Sequence, residues 1–409
     1  MKRIILLITI LIPFYASYAQ DMKYRRSSMY SILIRHPEKE FGKDIDTVFR
    51  LMPLPDKFDN HNLKVRAINA GVYEKNNQTE EENTCKMIET FLTKNDIAKR
   101  LVAKWFNRKS GRGKDGTFDM NLIIERGLYD ASYFDAQIAE MSTRGQSMLA
   151  DAGEELIGNT YVLFNDIKYI DKEEESGLAA TGLLIAGQIA SQFTGGLANL
   201  IITYGTDAAV NITDKIAGFR VVVTSYLYRL NWNEEIANTF YSEYYISSPN
   251  PDRKAAFDSI DGLFSLTYLG CQKSVSEKTG LEGVHDKNDM IRKVCTRAID
   301  KNVALLQKKY EEFKVKTPLY TTEPVAAKIG LKEDITIDSR FEVLEMVEKE
   351  DGRTEYKRVG VIKPIKGRIW DNRFMAEFED ENKGADLNAT EFEVVNGSGF
   401  YPGMLIREI

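Results

Sequence analysis

Three cysteines and three histidines in 409 residues supply neither a disulfide scaffold nor a histidine-rich metal centre. No Cys-x-x-Cys pair is present to grip zinc. Ten prolines, with no proline-rich or serine-rich tract, leave no long low-complexity linker. No uninterrupted apolar run reaches the roughly 20 residues of a membrane-spanning helix. Gly-x-Ser-x-Gly is absent, and Gly397-Ser398-Gly399 has the wrong spacing for a nucleophile elbow. What remains is a globular balance: 43% hydrophobic, 28% charged and 11% aromatic residues. At roughly 150 residues per domain, two or three domains are expected. A net charge of −6 repels phosphate backbones and argues against nucleic acid as a partner. No cofactor motif stands out, and none is expected.

The chain opens with Met1-Lys2-Arg3, an apolar run Ile4–Ile12, then Pro13 and the small residues Ser17 and Ala19. This is the pattern of a cleaved secretory signal, 1–19, with the cut after Ala19. No cysteine follows the cut, which argues against a lipid anchor. Export implies an oxidising compartment, in which Cys271 and Cys295 can pair and leave Cys85 over. The alternative is that all three are small buried apolar groups.

The pattern places strands at Ser28–Ile34, Lys64–Ala70, Asn159–Ile167, Gly218–Leu230 and Thr239–Tyr245. Two helices are expected over Glu81–Phe106, the second capped by Asn95-Asp96. Another is expected over 133–157. Phe257, Ile260, Phe264 and Leu266 mark a further helix ended by Gly270, and Met290 to Phe313 a long one closed by Pro318. His61 reads as part of a turn. The aromatics Phe240, Tyr241, Tyr244 and Tyr245 read as one face of the strand Thr239–Tyr245. Beyond about 335 the pattern is all strand: Arg340–Glu348, Tyr356–Lys363, Arg368–Phe374, Glu391–Val395 and Met404–Glu408. Five short strands separated by turn residues suggest a small closed barrel. The fold class is therefore α+β. An N-terminal mixed region (20–94) precedes a central α/β domain (95–250, insertion 171–216), a helical segment (251–317) and a C-terminal small β-barrel (318–409).

The insertion is the unusual segment. From Ser176 to Thr206 no residue is charged, and Gly182, Ala186, Ala190 and Thr194 recur at four-residue intervals. On a helix those four share one face and let another helix approach closely. Three readings stay open: a buried or self-associating helical hairpin, a membrane-contacting insertion, or a glycine-rich loop.

Glu125-Arg126-Gly127-Leu128, then Ala139-Glu140, Ala152-Gly153, Leu156 and the strand start Thr160-Tyr161-Val162-Leu163 form a familiar order of events. This order resembles the α/β domain shared by the curli secretion channel family, the TolB N-terminal domain and the flagellar T-ring protein. The resemblance covers roughly 95–250. The region 320–409 resembles the small barrel that ends the T-ring protein. In the curli channel, the connection corresponding to this insertion enters the outer membrane. The resemblance implies an assembly or scaffold role in a Gram-negative envelope and brings no catalytic residues.

Among candidate chemical groups, Ile32-Leu33-Ile34-Arg35-His36 resembles the nucleophile motif of histidine phosphatases. There an imidazole attacks phosphorus while a guanidinium neutralises the phosphoryl oxygens. His285-Asp286 would supply the second histidine. Pro37 stands where that family has glycine. Lys109–Gly116 contains G-x-G-x-x-G, but it follows a helix and precedes a strand, the reverse of a phosphate loop, so a surface loop is expected. The expected function is a non-enzymatic, exported envelope scaffold at the periplasm or outer membrane, acting through self-association, envelope protein partners or membrane contact by 176–206. The alternatives are a periplasmic phosphatase on Arg35 and His36, and a peptide- or glycan-binding module.

Overall fold

A computed structural model describes residues 27–71, 79–106, 116–118, 156–170, 219–277, 286–348, 354–378 and 387–409. Within them the chain is α+β, with a mixed sheet and a closed six-stranded antiparallel barrel. The elements run β1 (Ser27–Arg35), α1 (Gly42–Phe49), β2 (Phe58–Asn60), β3 (Ala67–Asn69), α2 (Glu80–Lys94) and α3 (Ile97–Trp105). Next come β4 (Thr160–Tyr169), β5 (Arg220–Leu230), α4 (Glu234–Thr239), α5 (Pro251–Ser259), β6 (Leu266–Glu277) and α6 (Lys287–Lys309). The barrel follows with β7 (Thr317–Thr322), β8 (Val325–Ala327), β9 (Phe341–Glu348), β10 (Thr354–Pro364), β11 (Thr390–Gly397) and β12 (Leu405–Glu408).

The sheet order is β2-β1-β4-β5-β6, with β3 also on β1. β1 is parallel to β2, β3 and β4, whereas β4-β5 and β5-β6 are antiparallel. Its strands come from all three regions delimited above as 20–94, 95–250 and 251–317. Central β1 and β4 are apolar on both sides, as a strand covered on both faces must be. Met29, Leu33, Tyr161, Leu163, Val221 and Val223 pack under α1 and α6. Tyr30, Ile32, Ile34, Val162, Phe164 and Tyr228 pack under α2 and α3. A buried polar ladder crosses the α6 side: Asn165 Nδ2 donates to Ser31 Oγ at 3.1 Å, Ser225 Oγ to Asn165 Oδ1 at 2.8 Å, and Asn302 Nδ2 to Ser225 Oγ at 3.0 Å. Removing its middle rung with Asn165→Leu takes the donor from Ser31 Oγ and the acceptor from the Ser225 hydroxyl, which keeps only Asn302, and about 2–4 kcal/mol of unfolding free energy is lost, measured by urea titration.

Barrel order is β10-β11-β8-β7-β12-β9. Leu319, Val343, Ile362, Phe392 and Ile406 pack together in its interior. It sits against α6, where Lys301 and Lys308 pair with Asp334 and the Arg297 guanidinium donates to Phe374 O at 2.8 Å.

Several expectations are corrected. Thr239–Tyr245 is not a strand. Asn233 caps α4 by accepting from Ile236 N at 2.9 Å, and the helix runs into a π-helical turn over Phe240–Tyr244. The aromatics at 240, 241, 244 and 245 follow helical spacing, and they bury Phe240 against Phe106, Trp232 and Phe264. Helix α5 stops at Ser259, and Leu266–Glu277 is strand, because it pairs along β5 from Leu230↔Leu266 to Arg220↔Glu277. Asp96 makes no side-chain cap. It takes a left-handed φ of 50°, while Asn95 Nδ2 donates back to Phe91 O at 2.8 Å and closes α2. Of Lys64–Ala70, only Ala67–Asn69 pairs with β1. His61 is fully buried, stacked on Trp105, with Nε2 3.0 Å from Leu101 O. Arg368–Phe374 is a loop held by side chains: Asn372 Nδ2 donates to Glu333 Oε2 at 2.8 Å, and Arg373 folds onto Asp371 at 2.6 Å. The barrel takes β7 and β8 in its place. Cys271 and Cys295 cannot pair, since Cys271 lies on the α2 face of the sheet and Cys295 on the α6 face. The expected signal 1–19, most of the Lys109–Gly116 loop, and the insertion lie outside the described residues.

Candidate functional site

Parallel strands end at a common edge, and in open sheets that edge is where side chains from different elements converge. Here β1 and β4 end together, with Ile34 opposite Asp166. The chain leaves the sheet at Ile170 and returns at Phe219, across neighbouring antiparallel strands whose pairing runs from Tyr169↔Val221 to Tyr161↔Arg229. Ile170 N donates to Arg220 O at 3.1 Å as the last rung. The segment 171–218 therefore emerges at this same edge.

On the α2 face of the edge lies a chain of charges. His36, just past β1, places Nε2 2.6 Å from Asp166 Oδ1. Asp166 Oδ2 is 3.1 Å from Lys168 Nζ, and Lys168 reaches Glu80 in the first turn of α2. His36 Nδ1 is 3.6 Å from Glu38 Oε1. Burial alone would raise the Asp166 carboxyl, but the His36 hydrogen bond and the Lys168 charge outweigh it and hold it below the usual carboxylate range. Burial likewise works against the Lys168 charge, and Asp166 and Glu80 overcome it and raise the ammonium. An ionised Asp166 only accepts, so the Nε2 proton is the one His36 donates. The β1 loop, β4 and α2 are thus linked by one network, buried at His36 and Asp166 and open to solvent at Glu80.

On the α6 face three rings bracket the departing segment. Tyr169 ends β4, Phe219 precedes β5, and Phe41 packs on both, with centroids 4.7 Å and 5.2 Å away. Lys287 sits 4.9 Å over the Phe41 ring. Phe41 adopts a left-handed φ of 57°, a conformation that costs a non-glycine residue of order 1 kcal/mol or more. The 36–42 loop holds it there through Lys39 N to His36 O (3.1 Å) and Gly42 N to Lys39 O (3.0 Å).

The structure separates the two groups of the phosphatase reading. Strand alternation sends Arg35 to the α6 face, where Nε meets Asn69 Oδ1 at 2.6 Å and Nη1 meets Asp46 Oδ2 at 3.3 Å. His36 turns to the opposite face, its Nε2 on Asp166 and its Nδ1 toward Glu38. The two do not converge on one phosphoryl group. His285, Gly182, Ala186, Ala190 and Thr194 lie outside the described residues. Among the described residues no His/Cys/Asp/Glu cluster can hold a metal ion, and no helix is long and apolar enough to cross a membrane.

Sequence reasoning singled out His36 but missed Asp166, Lys168, Glu80 and Phe41. A signal for two of them was present: Asp166 and Lys168 are charges on alternate positions of an otherwise uncharged strand. His36→Ala removes one charge-assisted bond from a buried carboxylate that keeps Lys168. A loss of about 1–3 kcal/mol in urea unfolding is expected. No protein-family model matches the chain, and no curated protein matches it.

Proposed function

We propose that this chain is an exported cell-envelope scaffold that acts without catalysis, its working element being the uncharged segment within 171–218. The observation that carries this reading is that β4 and β5 are hydrogen-bonded antiparallel neighbours in continuous register. A hairpin there needs two to five residues. The chain spends far more between Ile170 and Phe219, and the stretch Ser176–Thr206 carries no charge. Folding the sheet does not require such a segment, so its composition answers to something outside the sheet. The charge latch and the ring clamp fix the sheet edge from which it departs, as an element that transmits load to a partner needs. The resemblance of 95–250 to the curli channel group supports the same reading, as does the signal-like start. Partners are a second copy of the chain, other envelope proteins, or the outer membrane.

The test replaces 171–218 with Asn-Gly, a two-residue turn suited to an antiparallel hairpin. The shortened chain keeps its circular dichroism spectrum and unfolding midpoint. The full chain forms oligomers by native mass measurement or fractionates with membranes, and the shortened chain does neither. An unchanged oligomeric state and unchanged fractionation would overturn the proposal.

A further inference from the structure

We propose that Cys85 and Cys271 are a paired thiol site, which a disulfide oxidant converts into a covalent staple between helix α2 and edge strand β6. Cys85 lies on α2 one turn after Glu81, so both side chains share a helix face. That face meets β6. Tyr268 Oη donates to Glu81 Oε1 at 2.9 Å. Cys85, Tyr268 and Cys271 pack into one cluster on this face of the sheet, and both thiols feel the Tyr268 hydroxyl. In a regular strand, positions 268 and 271 would point to opposite faces. The register of β6 against β5 shifts between Leu227 and Tyr228, so that Tyr226 faces Cys271 and Tyr228 faces Tyr268. This bulge turns both Tyr268 and Cys271 toward α2. Both cysteines are partly exposed, unlike Cys295, which is fully buried across the sheet.

The chemistry is disulfide exchange. A thiolate of one cysteine attacks a low-molecular-weight disulfide such as oxidised glutathione, forming a mixed disulfide and releasing one glutathione thiol. The second thiolate attacks the cysteine sulfur of that mixed disulfide and expels the other glutathione. Two protein thiols are oxidised by two electrons, one glutathione disulfide is reduced to two thiols, and the two protons end on the leaving glutathiones. Burial pushes the Cys271 thiol up to about 11 and raises Cys85 as well, so the thiolate fraction is small and the reaction accelerates with pH.

The experiment treats the reduced full chain with oxidised glutathione at about pH 8.5 and maps its peptides. Expected are one intrachain Cys85–Cys271 link, an unmodified Cys295, and a thermal midpoint raised by roughly 5–10 °C that dithiothreitol reverses. Cys85→Ser and Cys271→Ser each lose the link and the rise. The wild-type map decides even if a variant misfolds. Glutathione adducts on unlinked Cys85 and Cys271, links only between chains, or free thiols throughout would each overturn the proposal.

Discussion

Gly42→Ala lowers the unfolding free energy by about 3 kcal/mol or more, the largest single-residue loss expected at the edge from which 171–218 departs. A Cβ on Gly42 would lie 1.9 Å from the His36 carbonyl oxygen, 2.9 Å from its carbon and 3.4 Å from Pro37 Cα. All three are backbone atoms, and none can rotate away as a side chain would. Only opening the 36–42 loop relieves the contact. The loop is closed by its own hydrogen bonds, and it holds Phe41 in a left-handed conformation and His36 on Asp166. Opening it therefore breaks the charge latch and the ring clamp together, which is why the loss exceeds that of His36→Ala. Urea titration followed by circular dichroism measures it. A change within about 0.5 kcal/mol, the size of an ordinary surface substitution, would show that the loop yields at little cost.

Legibility differed by element for physical reasons. Strands β1, β4 and β5 and helix α6 were evident because long runs of one period survive any tertiary context. Strand β6 was not: Leu266, Tyr268 and Leu269 suit a helix as well as a strand, and only pairing with β5 settles the matter. The π-helical turn hides because Phe240-Tyr241 and Tyr244-Tyr245 suit a sheet face as pairs, although their spacing of four is helical. Strand β7 runs through Pro318, which reads as the close of the long helix rather than as part of a strand, and β8 follows directly. Proline is tolerated where a ladder does not need its missing donor, and Pro318 still pairs opposite Leu405.

The site was legible only in part, because its geometry joins residues far apart in the chain. His36 and Asp166 meet across a parallel pairing that sequence alone does not reveal. Arg35 and His36 look like one motif when adjacent in text, but a strand sends neighbours to opposite faces. The cysteines follow the same logic: a bulge and a helix bring Cys85 to Cys271, whereas Cys295, closer in sequence, lies across the sheet.

The second large effect belongs to the seam between sheet and barrel, and it depends on pH. Asp300 on α6 is only 7% exposed, and its Oδ2 has no hydrogen-bond partner. The nearest cation, Lys332 Nζ, is 4.0 Å away and already bonded to Asp56 at 2.9 Å. Lys57, Glu333, Phe58 and Val303 are among the residues that line a cavity of about 20 Å³ here, enough for one water. Burial pushes the Asp300 carboxyl up to about 7, with Glu333 and Asp56 adding to it and Lys332 opposing. The unfolded chain releases that proton near pH 3.9. Between about pH 4 and pH 7 the folded protein therefore holds a proton that the unfolded chain lacks, and stability falls as pH rises. At roughly 1.4 kcal/mol per unit, the upper bound by pH 8 is about 4 kcal/mol. Asp166 contributes with the opposite sign, losing stability only as pH drops below the usual carboxylate range. Asp300→Asn keeps the shape and removes the charge. It is expected to match the wild type near pH 4 and to be more stable by about 2–4 kcal/mol at pH 8, by urea titration across that range. Parallel curves for the two proteins would mean that Asp300 is ionised at no cost.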